Sequence, residues 1–205
     1  RDRDVTGVQT CALPISAIES PFVADNRNLW QFDMQYSPLG DALKVLAHPG
    51  ENLVNIDNAI KTQVLIGDLL PNGSGNWTFS GLADTDGASP TNLPIEVDGG
   101  VCVLYPFIFV YGSNGYIANN NVDLTDYANQ TPNDWNGPLA NQVNMAAGKI
   151  VKGMPVRGGT NTPSGLFWAT DSLIRVSFTG QVDLYWRYDI LSNQTSDRKS
   201  TRLNS

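Results

Sequence analysis

The sequence predicts an all-β chain, and three observations carry that prediction. Its apolar residues recur mostly with period two, its apolar segments are short, and Gly, Asn, Asp and Pro interrupt them throughout. Successive side chains of a strand point to opposite faces, so alternation is the pattern a half-buried strand requires.

The first candidate strands are LKVLAH (43–48), NLVNID (52–57), TQVLIGDL (62–69) and NWTFSGL (76–82), where Val, Ile, Leu and aromatic residues fill pleated positions. HPGEN and PNGSGN punctuate them, supplying residues that tolerate turn geometry. After DTDGASPTN and DGG come GVCVLYP (100–106), FIFVYG (107–112) and, beyond GSNG, GYIANN (115–120). The last group is KIVKGMPV (149–156), GLFWAT (165–170), SLIRVSF (172–178) and DLYWRYDIL (183–191), separated by RGGTNTPSG and FTGQ. A single helix is predicted, PLANQVNMAAGK (138–149), because Leu139, Val143 and Ala146 fall on one face and Gly148 can end it.

Three stretches share a grammar of turn, apolar strand, short Gly/Asn/Asp turn, second apolar strand and acidic turn ending in Asp-Leu. They start at His48, Tyr105 and Pro163, about 57 residues apart. A repeat of that kind, somewhat longer than the roughly 40–50 residues of familiar propeller blades, predicts a β-propeller fragment of about three blades. The alternative is a β-sandwich or meander with regular hairpins.

The ends read differently. GVQTCALPI (7–15) and DRKSTRLNS (197–205) can be encoded by DNA stretches that are reverse complements over all nine codons. That DNA is similar to an adapter ligated to fragments for short-read sequencing, and RDRDVT (1–6) is similar to its continuation. Residues 1–16 and 197–205 are therefore expected to be adapter-derived and to form frayed tails, leaving 17–196 as an all-β domain fragment of a longer protein.

Net charge is −7 for the whole chain, and within 17–196 it is −9, with 8 basic against 17 acidic residues. Such a balance argues against a nucleic-acid groove, whose affinity comes from Lys and Arg neutralising phosphates. No apolar run reaches the roughly 18 residues of a membrane helix; VCVLYPFIFVY is 11 long and holds a proline. A soluble, non-membrane segment is expected.

The catalytic inventory is sparse. His48, the only histidine, lies in the turn AHPGEN away from any nucleophile motif, and Cys102, the only cysteine outside the terminal stretches, reads as a small core hydrophobe. One His and one Cys fall short of a zinc site. Asp84 and Asp86 in LADTDGAS resemble the middle of a calcium loop, but Leu82 and Leu93 occupy its first and twelfth ligand positions, so a solvated turn is the better reading. Asp123, Asp126 and Asp134 supply carboxylates for glycosidase-type chemistry within a stretch composed like a connector. VRGGTNTPSG and LPNGSGNW lack the Gly-Lys-Ser/Thr ending of a phosphate loop. Trp30, Trp77, Trp135, Trp168 and Trp186 could line a sugar-binding surface, but Trp168 and Trp186 read better as core, and Trp135 in its polar loop is open. No catalytic residue, cofactor or metal site is predicted.

KIVKGMPVRGG, then TPSGLFWATDSLIRVSFTG and YWRYDILSNQTS, together with YPFIFVYGSNGYIANNN upstream, resemble uncharacterised proteins encoded by tailed bacteriophages. The resemblance is to propeller-type virion proteins of the tail hub and DNA-stabilising plug, and spans about Leu43 to Thr195. It implies a non-enzymatic assembly role in the virion, with other virion subunits as partners and a homo-oligomeric ring in the full-length protein. It carries no active-site residue. A carbohydrate-binding or adhesion module is the alternative suggested by the aromatic content, Asn-rich loops and acidic surface, with hydrolase activity third.

Overall fold

A computed structural model describes residues 30–36, 43–48, 50, 65–68, 79–81, 94, 97–122, 135, 137–156, 162–182 and 184–193. They form three four-stranded antiparallel sheets, each a meander in chain order. The first contains β1 (Gln31–Tyr36), β2 (Leu43–His48), β3 (Leu65–Asp68) and β4 (Phe79–Gly81). The second contains β5 (Gly100–Leu104), β6 (Phe107–Tyr111), β7 (Tyr116–Asn119) and β8 (Asn141–Asn144). The third contains β9 (Ile150–Val156), β10 (Ser164–Ala169), β11 (Leu173–Gln181) and β12 (Leu184–Ser192). The all-β prediction holds.

The second sheet lies between the other two, and this position explains its composition. Every residue of β5 and β6 is buried, so GVCVL and FIFVY are continuous apolar runs where a strand with one wet face would alternate. Their alternation instead divides apolar residues between two partners. Cys102, Leu104, Phe107, Phe109 and Tyr111 pack with Ile150, Phe167, Ile174, Val176 and Trp186 of the third sheet. Val101, Val103, Ile108 and Val110 cluster with Leu46 of β2, Val97 and Trp135. At the centre of the larger core, Trp186 meets Phe109 and Phe107 edge to face at 4.8 and 4.9 Å. Such pairs each add about 0.5–1.5 kcal/mol beyond area burial. Gly153 leaves room for this packing, because a Cβ there would sit 2.8 Å from the Phe167 ring and 2.9 Å from that of Tyr111.

The predicted helix over 138–149 does not form. Pro138 and Leu139 are in a turn, and Asn141–Asn144 becomes strand β8 on the edge of β7. Three apolar residues at helical spacing are weak support for a helix of this length, whereas β7 offers a row of backbone partners. Side-chain amides fix the approach to that strand: the Leu139 N–H donates to Asn121 Oδ1 at 3.0 Å, and Asn119 Nδ2 donates to the Leu139 carbonyl at 2.8 Å.

The segment joining the second sheet to the third is bonded on two sides. Met145 N–H donates to the Gly115 carbonyl, Gly115 N–H to that of Gly148 and Ile150 N–H to that of Gly112, all at 2.9 Å. These bonds tie it to a tight turn over Ser113–Gly115, which Asn114 and Gly115 make possible with φ of 56° and 62°. On the other side Asp171 Oδ2 accepts from the N–H groups of Ala147 and Gly148 at 3.1 and 3.0 Å, and Thr170 N–H donates to the Lys149 carbonyl.

Candidate interaction faces

The residues that first suggest chemistry are dispersed. His48 ends β2, fully buried, with Nδ1 accepting from Gly50 N–H at 2.9 Å. Burial pushes its pKa down to about 4, so the ring is neutral near pH 7. Cys102 is buried in the core between the second and third sheets, and burial pushes its thiol pKa up. Asp84, Asp86, Asp123, Asp126 and Asp134, Trp77, the terminal stretches, all of LPNGSGNW and half of VRGGTNTPSG lie outside the described residues. Among the described residues no three His, Cys, Asp or Glu side chains gather in a way that could hold a metal ion, and no helix is long and apolar enough to cross a membrane.

Asp98 forms the most developed polar cluster. Its carboxylate accepts from the Ser113 N–H at 2.7 Å and the Ser113 hydroxyl at 3.0 Å, and pairs with Lys149 at 2.8 Å. Burial alone would raise its pKa, but the hydrogen bonds from Lys149 and Ser113 hold it below the ordinary carboxylate range. All three groups sit at the joint between sheets, so the cluster fastens turns together.

Registers show that the three sheets use matching positions. In the second sheet Tyr111 stands opposite Gly100 and Ile117, Phe109 opposite Cys102, and Phe107 opposite Leu104. In the third, Trp168 stands opposite Lys152 and Leu173, Leu166 opposite Met154, and Ser164 opposite Val156. In the first, His48 stands opposite Gln31 and Leu46 opposite Asp33. We call this the front face, the one turned toward the next sheet in chain order. His48 and Tyr111 are thus equivalent, each a ring at the end of a second strand; in β10 a register shift puts Ala169 at that end, and Trp168 precedes it on the front face. The rings of His48 and Tyr111 are covered. Trp168 is only half-buried, together with Leu166, Leu173 and Val156, and Met154 is 43% exposed. Trp186 is core as predicted, whereas Trp168 is a correction: β10 turns it away from the core and onto the outer face of the third sheet. Trp135 is buried in the cluster between the first and second sheets.

Strand β1, which the sequence reading passed over, has the inverse arrangement. Its polar residues face the second sheet: Asp33 Oδ2 accepts from Val103 N–H at 2.7 Å, Tyr111 donates its hydroxyl to Gln31 Oε1 at 3.1 Å, and Gln31 Nε2 donates to the Gly99 carbonyl. Its apolar residues face away, Phe32 at 58% exposure and Met34 at 46%. They stand at the positions where the second sheet has Val101 and Val103, both buried against the first.

Comparison with protein-family models, curated proteins and solved structures finds no significant match. The functional reading therefore rests on the chain's own geometry. Among the described residues, that geometry offers exposed apolar side chains on the outer side of β1, Phe32 and Met34, and a mixed outer face on the third sheet where Met154 lies among Lys152, Arg175 and Asp189, with the polar clusters taken up by joints between sheets.

Proposed function

We propose that this chain is a non-enzymatic structural or assembly component of a phage virion, at the tail or the head-tail connection, and that its three meanders are consecutive propeller blades. The virion assignment is supported by the sequence resemblance alone; the observation that supports the propeller part is the order of the first strands, with β1 against β5 and β5 against β9. A propeller sets its four-stranded meanders around an axis in this way, each burying its faces against its neighbours. The covered middle sheet also favours this over a two-layer sandwich, in which each sheet has one face on the core and one toward solvent. The genes flanking the coding sequence test the proposal. Portal, terminase or tail genes beside it are the expected result, and a bacterial metabolic operon would sink the virion assignment.

A further inference from the structure

His48 is sealed into the packing between the first and second sheets in a form that has no place for a second proton. Its ring is fully buried, and its Nδ1 accepts from the Gly50 N–H at 2.9 Å, which leaves the single ring proton on Nε2. Nε2 lies near the Val97 backbone and finds no acceptor in hydrogen-bond geometry among the described residues. A second proton has to go to Nδ1, where it points at the Gly50 N–H, donor against donor, and ends the bond that holds that turn. The charged groups that face the ring give an imidazolium no shelter. Lys149 repels it, and the Asp98 carboxylate, which attracts it, is already engaged by Ser113 and Lys149. Asp33, on the same face of the first sheet, is bonded to the Val103 N–H.

The joint that His48 belongs to is also the lighter of the two. Among the described residues, only Leu46 from the strands of the first sheet enters the apolar core shared with the second. The third sheet contributes Ile150, Phe167, Ala169, Ile174, Val176 and Trp186 to its own. We propose that His48 is a proton-operated release between the first and second sheets: on taking up a proton it leaves its site with the end of β2, and the first sheet lifts from the second while the second stays packed on the third. Water reaches the imidazolium only when that end of the strand moves, and the smaller apolar contact is the one that yields. Asp98 does not trigger the same event in the same range. Burial works against its charge, but the bonds from Lys149 and Ser113 keep it ionised to lower pH. The release goes beyond the assembly reading and does not depend on it.

Hydrogen exchange read by mass spectrometry on the full chain between about pH 7 and pH 4, corrected for the intrinsic effect of pH on exchange, tests the proposal. With one proton taken up on opening, protection in β1 and β2 should fall about tenfold per pH unit from the ordinary histidine pKa of 6.5 down toward 4, while β6, β10 and β11 keep theirs. His48→Asn, whose Oδ1 can accept from Gly50 and which takes up no proton in this range, should remove the pH dependence in β1 and β2. If that variant fails to fold, the wild-type ring answers by itself: His48 is the only histidine, so its Cε1–H proton resonance is unambiguous and should stay at its neutral position until β1 and β2 lose protection. A resonance that titrates near pH 6.5 with β1 and β2 still protected would overturn the proposal, as would an unchanged pH dependence in His48→Asn. Simultaneous loss of protection in all three sheets would overturn it too, since acid then unfolds the chain as a whole and parts no single joint.

Discussion

His48 carries an acid sensitivity that follows from where its ring sits. The ordinary pKa of 6.5 is lowered to about 4 in the fold, mainly by burial, so between those values the unfolded chain binds a proton that the folded chain refuses. Stability is therefore full above about pH 6.5 and falls as pH drops toward 4, by about 3 kcal/mol when the shift is converted to free energy. Urea unfolding at a series of pH values should show that decline, and His48→Phe should flatten it. Asp98 acts in the same direction at lower pH, since a carboxylate held below its usual range loses its contribution on protonation, so the variant should keep the acid limb below pH 4. The sequence alone showed a histidine in a turn-like context, AHPGEN. Its burial could not be read there, because the groups around its ring include Val97, Asp98 and Lys149, far along the chain from the turn itself.

At the scale of the element, the third sheet sets two tryptophans on opposite faces and predicts opposite sensitivities. Trp186, 2% exposed and in contact with Phe107, Phe109 and Phe178, should lose about 3–5 kcal/mol on Trp186→Ala. Trp168→Ala removes a half-buried ring from the outer face and should cost about 1 kcal/mol in the monomer. Denaturant midpoints on the two variants check the contrast, which disappears if Trp168 belongs to the core. Strand positions were legible because period two and turn residues determine them locally, as in LKVLAH and FIFVYG. Faces were less so: in GLFWAT both sides are apolar, and pattern alone does not say which side meets the second sheet. Strand β8 was hidden for another reason, since NQVN has one apolar residue and becomes a strand only through pairing with β7. QFDMQY did carry a signal, the alternation of Phe32, Met34 and Tyr36, but its polar partners made it resemble a surface stretch.

For the whole molecule, coverage on two faces should make the second sheet the slowest to open. Amide hydrogen exchange should show the strongest protection in β5 and β6, with β1 and β12 exchanging earlier, because local opening follows the loss of buried apolar contacts and exposure of backbone bonds. Uniform protection across all three sheets would contradict the layered description. Three successive meanders were foreshadowed by the repeat from Tyr105 and Pro163, which mark β6–β7 and β10–β11; the NLVNID stretch of the His48 repeat lies outside the described residues.

The segment from Met145 to Ile150, bonded to the Ser113–Gly115 turn on one side and to Thr170 and Asp171 on the other, has a mechanical meaning. A joint made by a chain simply passing from one layer to the next would act as a hinge. Here any bending between the second and third layers has to strain several short, differently directed backbone bonds together, so the joint behaves as a weld. A load applied to one of these layers passes to the other with little relative rotation, and an assembly built from such units would inherit its stiffness from inside each chain.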